Sequence, residues 1–335
     1  MADSEEAIER WAEKPRVLLV GLGGAGCDSV NDIELEGLPA SVETLAINTD
    51  GRHLQGLKTK EKLLIGELQM HGRGSGGDRV TVQRAALENT DHLKRLFRPY
   101  HLIFFIAGLG GGTGSALLPR CVSLCEEVEA LAIPVAILPF EVELQSNPKR
   151  RENAREALRE MDASGTFFLV LSNEKLRRFD SQPIRSVFQM RSTYLRQLVL
   201  SVVDMVEHPS EINVDLALVS RHLHEAGLST LMIADGHMDD PEGLVRQALN
   251  ESFLDFELTA PGPVLIHIEG GSNLSLRTHQ KILEAFRKAL HNPREFVFGT
   301  RIREGHSTNV RVTVMVGRLK ATAIHRLLHA EELLA

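Results

Sequence analysis

The sequence predicts an α/β fold: a Rossmann-like parallel sheet, a long central helix, and a second, smaller α/β domain. Three observations predict it. In the first half, continuous apolar runs alternate with amphipathic helical patterns, as expected of strands buried on both faces between crossover helices. One long, mostly helical stretch follows, RSVFQMRSTYLRQLVLSVVDMVE (185–207). Beyond it come more strands and helices, without a further glycine-rich loop. At 335 residues and 43% hydrophobic, the chain can bury a large core and is long enough for two domains.

The elements follow in order. The acidic start MADSEEAIERWAEKP lacks the apolar core of a secretory signal and reads as a short helix capped near Ser4 and ended by Pro15. VLLVGLG (17–23) is a strand leading into the helical pattern Ala25 to Ile33, and TLAIN (44–48) is the next strand. HLIFFIAGLG (101–110) leads into the helix SALLPRCVSLCEEVEAL. VAILPF (135–140), a charged helix from Arg151 to Met161, and TFFLVLSN (166–173) complete the first unit. Their strand C-termini lie along one edge, where such sheets bind ligands. His208-Pro209 ends the long helix, in which Met190, Leu195 and Leu198 are core positions. A helix from about Leu216, LSTLMIADG, a helix near 241–253, PGPVLIHIEGG, a helix over 278–290, REFVFGTRI and NVRVTVMVG follow, and RLLHAEELLA closes the chain as a short helix. The units are therefore 1–184, 185–208 and 209–335.

Charge and cysteine content exclude several functions. With 38 Lys and Arg against 45 Asp and Glu, the net charge of −7 argues against a nucleic-acid binder. Cys27, Cys121 and Cys125 show no C-x-x-C spacing, so neither a zinc site nor a disulfide frame is expected, and a reducing, cytoplasmic location is the default. No apolar run reaches the roughly 20 residues of a membrane span.

The glycines carry the functional signal. GLGGAG (21–26) follows a strand and fits the dinucleotide fingerprint G-x-G-x-x-G, with Asp50 at a strand end where a ribose-binding acid could sit. A dinucleotide domain needs one such loop. This chain also has HGRGSGG (71–77) and AGLGGGTGSA (107–116), the latter again between an apolar strand and a helix. Glycine there lets several backbone N–H groups converge on phosphate oxygens, and the helix that follows adds its positive end. Two such loops at adjacent strand ends suit a di- or triphosphate tail better than a pyrophosphate between two nucleosides. No G-K-[ST] occurs, which excludes a Walker A loop.

Gly111-Gly112-Thr113-Gly114-Ser115 resembles the signature loop of the tubulin/FtsZ superfamily. GLGGAGCDSVN (21–31), AINTD (46–50), RGSGGD (73–78), LPFEVE (138–143), SNEKL (172–176) and INVD (212–215) resemble the family's other loops in the same order, from about Arg16 to Gly317. The stretch LLIGE followed by RGSGGD is most similar to archaeal FtsZ or CetZ, in a divergent form. The resemblance implies a tubulin/FtsZ fold whose first domain is a GTPase domain, with GTP or GDP and Mg²⁺ as ligands and head-to-tail self-assembly into protofilaments. It implies that Gly23, Gly24, Ala25, Gly26, Cys27 and Asp28, with Gly110, Gly111, Gly112, Thr113, Gly114 and Ser115, hold the phosphates. Asn48 and Asp50 would lie near phosphates and metal, Gly76 and Gly77 on the third loop, Glu143 and Arg150 at the ribose, and Asn173, Phe188 and Ser192 around the base. Local readings stand beside these: Thr113, Asn213 and Asp215 as helix caps, Asp50 as a turn residue, and Arg150 as one of a solvated basic run.

The departures are as informative. The segment LQSNPK before Arg150 is about three residues longer than in the family. Ser192 replaces the guanine-reading asparagine; a hydroxyl reaches less far and pairs with one atom at a time, which leaves base preference open, with Arg191 or a water as substitute partners. Arg79 and Val80 replace a proline and a glutamate in the loop that senses the γ-phosphate. In the loop N-x-D-x-x-D, which family members insert into a neighbour's nucleotide site, Asn213 and Asp215 remain as catalytic candidates but the second acid is Leu218. An apolar side chain cannot hold a cation or position a water. About eighteen residues follow Gly317, so no adaptor-binding tail is expected. Two readings result: a self-assembling GTPase with slow turnover, or a non-hydrolysing relative that co-assembles with, or regulates, another FtsZ or CetZ homologue.

Overall fold

The computed structural model describes residues 14–207, 214–224, 226–257, 262–303 and 308–328. The expected helix before Pro15 and the pair His208-Pro209 lie outside the described residues. β1 (Val17–Leu22) leads into α1 (Gly23–Glu36), β2 (Val42–Asn48) into α2 (Gly51–Gly56), and β3 (Glu61–Leu64) into α3 (Glu67–Met70). α4 (Arg79–Glu88) and α5 (Thr90–Phe97) precede β4 (Leu102–Gly108), α6 (Gly112–Glu127), β5 (Leu131–Leu138), α7 (Glu141–Ser146), α8 (Pro148–Ser164) and β6 (Phe168–Ser172). A 3₁₀ turn (Asn173–Phe179) then enters α9 (Ile184–Glu207), the central helix. α10 (Leu216–Leu223), β7 (Leu228–His237), α11 (Pro241–Glu251), β8 (Val264–Gly270), α12 (Leu276–Ala289), β9 (Phe296–Ile302), β10 (Asn309–Val316) and α13 (Thr322–Leu328) complete the chain.

The strands form one sheet in the order β3-β2-β1-β4-β5-β6-β7-β10-β8-β9. It is parallel except where β10 runs antiparallel to both β7 and β8. Alternation along β1 sends Leu18, Val20 and Leu22 into the core under α4, α6 and α8, and Val17 and Leu19 into the core under α1 and α9. The sequence presents the second domain as separate; the structure joins it edge to edge, through the parallel pairs Phe168↔Leu228 and Leu169↔Ser229. Central-helix residues Leu195, Val199 and Val202 share one core with Leu231, Leu265 and Met315 of that domain, and Leu198 is buried with them, whereas Met190, expected in the core, is exposed.

This joint also buries charge. Asp204 of α9 pairs with Arg301 and, at 2.9 Å, with Arg303, which reaches Glu269 at 3.2 Å. The ring of His267 lies 3.8 Å from both carboxylates. Burial, with the two arginines, lowers the His267 pKa to about 3 and keeps the ring neutral.

β3 escapes a pattern-based reading for a physical reason. It has only four residues, Glu61-Lys62-Leu63-Leu64, sits at the sheet edge, and exposes its first two side chains.

Candidate functional site

Glycine-rich loops meet at the C-terminal ends of β1 and β4. α1 and α6 start there side by side. A Cβ on Gly26 would stand 2.1 Å from the Ile106 carbonyl oxygen, and one on Gly114 2.4 Å from that of Gly108. These glycines let the helices seat against β4. Gly24 and Gly111 instead face open space. Neither helix carries a side-chain N-cap or an acid in its first turn, whereas α4, α8 and α10 are capped by Asp78, Asn147 and Asp215. Two uncapped N-termini therefore present orphan N–H groups and two positive dipole ends to one place, the electrostatics of an anion site.

Side chains lock the loops together. Thr113 Oγ1 lies 2.8 Å from Thr49 Oγ1 and 3.3 Å from Ser75 Oγ. Asn153 Nδ2 donates to the carbonyls of Gly77 (2.9 Å) and Gly110 (3.2 Å). Ser115 Oγ accepts from Gly110 N at 2.9 Å, so its hydroxyl closes its own loop. Gly76 is open to solvent space, while Gly112 packs against Ser75 and Gly77. Behind the loop, Pro119 inside α6 has no N–H for the Ser115 carbonyl, and buried Arg79 donates to that oxygen at 3.3 Å while pairing with Glu160 at 2.5 Å. The departure at Arg79 thus supports the rear of the loop.

Asp50 caps α2, its Oδ1 accepting from Arg52 N (3.0 Å) and His53 N (3.1 Å), which realises its reading as a turn residue. Both bonds fall on one oxygen, so Oδ2 keeps lone pairs for a cation or its waters. Mg²⁺ in nucleotide sites binds through one or two carboxylates plus phosphates, and this donor set fits that chemistry. Asn48 Oδ1 accepts from Thr49 N at 2.8 Å and its Nδ2 lies 3.0 Å from His53 Nδ1. His53 Nε2 in turn meets Asp28 Oδ1 at 2.8 Å; that hydrogen bond raises the His53 pKa against the opposing effect of burial.

A cavity of about 240 Å³ runs on from the loops. Ala25, Gly108 and Leu109 line its inner end. Glu143 and Arg150, expected at a ribose, line its side and pair with each other; the longer segment forms α7, and Asn147 caps α8. Asn173, Phe188, Arg191, Asp28 and Asp32 form the far end. Larger hollows of about 570 and 520 Å³ lie at the N-terminal ends of β5 and β6 and beneath α13, away from the strand ends that bind ligands in such sheets.

Two expectations need adjustment. Ser192 is fully buried and does not line the cavity: its hydroxyl is spent on Asp32 Oδ2 (3.2 Å) and the Phe188 carbonyl (3.3 Å). Cys27 turns its thiol onto the carbonyls of Gly21 (3.3 Å) and Ile47 (3.4 Å), and burial pushes its pKa up to about 12, which leaves only its backbone for a ligand. Asp215 is the N-cap of α10, accepting from Leu218 N at 2.6 Å, and lies at the far end of the central helix; Asn213 lies outside the described residues. At 1.5 Å per residue, α9 separates Phe188 from Met205, which packs near Val214, by about 25 Å. Asp215 cannot reach the cavity of its own chain.

Comparison with known proteins decides the family. Residues 16–180 match the tubulin/FtsZ family GTPase domain, and residues 232–320 the FtsZ family C-terminal domain. Cell division protein FtsZ 2 of Halobacterium salinarum is 30% identical over 306 residues, 90% of this chain and 77% of that protein. The chain belongs to the tubulin/FtsZ family. Cell division protein FtsZ of Aquifex aeolicus is 29% identical over 312 residues, covering 92% of this chain and 84% of its own. Among solved structures, an empty FtsZ dimer from M. jannaschii aligns with a TM-score of 0.80 at 27% identity, over 96% of this chain and 93% of that one. A GTPγS-bound protofilament of CetZ2 from Haloferax volcanii aligns with a TM-score of 0.81 at 19% identity, over 95% and 97%, and shares the fold. The protein is thus a cytoskeletal FtsZ-like chain with a GTPase domain, a family that implies GTP or GDP as ligand. Among the described residues, no helix is long and apolar enough to cross a membrane.

Thr49, Ser75, Asn153, His53 and Asp32 escape the sequence reading. Thr49 and Ser75 stand inside the stretches AINTD and RGSGGD, and Asp32 stands one helical turn after Asp28 on the same face of α1.

Proposed function

We propose that the chain binds GTP or GDP in this cavity, polymerises head to tail in the cytoplasm, and hydrolyses GTP slowly at the contact between subunits. The convergence of two uncapped helix N-termini on one cavity carries the binding half of the proposal. In it, the N–H groups around Gly24 and Gly111 hold phosphates, Glu143 and Arg150 hold the ribose, and the Phe188 ring stacks on the base. Mg²⁺, held by Asp50 and the phosphates with Asn48 nearby, would supply charge neutralisation at the γ-phosphate.

The distance along α9 carries the assembly half. Asp215, exposed at the opposite end of the molecule, becomes useful only when it enters the cavity of a second copy stacked below. There its carboxylate can orient a water, and Asn213 stands two residues before it. Leu218, a turn further on, is half-buried against the core and supplies no oxygen. That side chain is also the observation favouring the second reading: a non-hydrolysing subunit that co-assembles with a homologue carrying both acids.

Sedimentation with GTP and Mg²⁺ over a range of protein concentrations separates the two. The main reading expects pelleting above a threshold concentration with the chain alone. Pelleting at no concentration, except when a second family member is added, would replace it with the co-assembly reading.

A further inference from the structure

Ser192 leaves the base end of the cavity without the amide that a purine reader would use. The structure fills that gap from another element. Asp32 comes from the third turn of α1 and lines the same end as Phe188 and Arg191. Ser192 Oγ, 3.2 Å from Asp32 Oδ2 and 3.3 Å from the Phe188 carbonyl, ties the carboxylate to the turn of α9 that carries the ring. Asp28, the other acid at this end, is held toward the second loop by His53.

Arg191 supplies the opposite polarity. It is 4% exposed, its guanidinium carbon lies 5.1 Å from the centroid of the Phe188 ring, and it donates to Asn173 Oδ1 at 2.9 Å and Ser29 Oγ at 3.2 Å. Its buried Nε–H has no partner among the described residues. A buried donor without an acceptor is costly, and one beside an open cavity is a place for a ligand's acceptor.

We infer that Asp32, oriented by Ser192, and Arg191 together read guanine: the carboxylate accepts from the N1–H and the 2-amino group, and the guanidinium donates to O6 or N7. The inference rests on the nucleotide reading of the cavity. An ionised carboxylate only accepts, and guanine offers two adjacent donors on one edge with acceptors beside them. Adenine presents a lone pair at N1 and a donor in place of O6, which meets the carboxylate and the guanidinium with the wrong polarity. The guanine-reading function thus moves from the central helix to α1, with the serine demoted to a positioning residue.

An exchange of specificity tests this. Asp32→Asn keeps the side chain's size but offers one donor and one acceptor, which suits xanthine, whose 2-oxo group replaces the 2-amino group. Equilibrium binding of GTP, XTP, ITP and ATP is measured on the full-length chain and on the Asp32→Asn and Ser192→Ala variants, with thermal melting as the folding control. The wild type should prefer GTP over ATP, and over ITP, which lacks the 2-amino group, by on the order of 10- to 100-fold. Asp32→Asn should lose GTP affinity by a similar factor and gain XTP affinity. Ser192→Ala should lose less, through a loosened carboxylate that is still present. If the wild type binds GTP and ATP equally, or Asp32→Asn leaves the GTP-to-XTP ratio unchanged, the inference is overturned while the nucleotide site stands. Absence of binding to any of the four would overturn both. A misfolded Asp32→Asn chain leaves the wild-type GTP, ITP and ATP ratios and Ser192→Ala to decide.

Discussion

The two ends of the central helix put their residues to different uses. At its start, Phe188 and Arg191 line a cavity that lies beside open glycines and helix N-termini left uncapped. At its far end, around Asp215 and Leu218, the same kinds of groups serve the fold. Asp215 satisfies the N-terminus of α10, and Leu218 packs half-buried against the core. The contrast teaches that, under the proposed stacking, the cavity and the acid that would complete it are distant in one chain and would meet only on assembly.

Restoring the acid at the far end should have the largest effect. Leu218→Asp places an acid at the third position of α10, where its favourable interaction with the helix N-terminus partly offsets the half-buried packing lost with the leucine. GTP hydrolysis in the assembled state should rise about 10²–10⁴-fold, as for regaining a water-positioning group. A variant that assembles normally with unchanged hydrolysis would remove Leu218 as the cause of slow turnover.

The near end can be dissected by paired glycine changes. Gly26→Ala drives a methyl into the Ile106 carbonyl and should cost about 3 kcal/mol of stability, seen as a lowered melting temperature. Gly111→Ala faces open space at an ordinary φ of −74 and should alter stability by less than about 0.5 kcal/mol, while weakening nucleotide affinity. Equal effects of the two on stability would contradict the division between packing and ligand-facing glycines.

The joint between the domains gives a pH signature. His267 is lowered to about 3 in the folded chain, against about 6.5 when unfolded, so acid protonates the unfolded state first. Stability should be unaffected by this group above about pH 6.5 and fall by about 1.4 kcal/mol per pH unit below it, until the folded-state pKa is reached. His267→Gln should flatten that part of the denaturation profile; an unchanged slope would show that the ring is not held neutral.

A smaller effect belongs to Arg79. Arg79→Met removes the donor to the Ser115 carbonyl and the partner of Glu160, and should cost about 1–3 kcal/mol in a thermal melt. Nucleotide affinity should fall with it if the guanidinium supports the loop from behind.

Much of this was legible in the chain. Strands buried almost throughout, such as Leu102–Gly108, announce themselves as apolar runs, and the loop Gly111 to Ser115 suggests a phosphate tail because few other reasons gather so much glycine between a strand and a helix. The edge strand β3 was not legible, being half-exposed and four residues long. Nor were Asn153, Thr49 and Ser75, which act across tens of residues of sequence. The fate of Ser192 was hidden most deeply. Its hydroxyl answers a carboxylate 160 positions away, and no local pattern on either helix records that pairing.

Phosphate release per subunit, measured with GTP and Mg²⁺ over a wide range of protein concentrations, tests the central claim most directly. A low rate that climbs above a threshold concentration is expected, because each working site needs the cavity of one subunit and Asp215 of the next. A substantial rate that stays flat down to dilute protein would contradict it, since a single chain would then complete its own site.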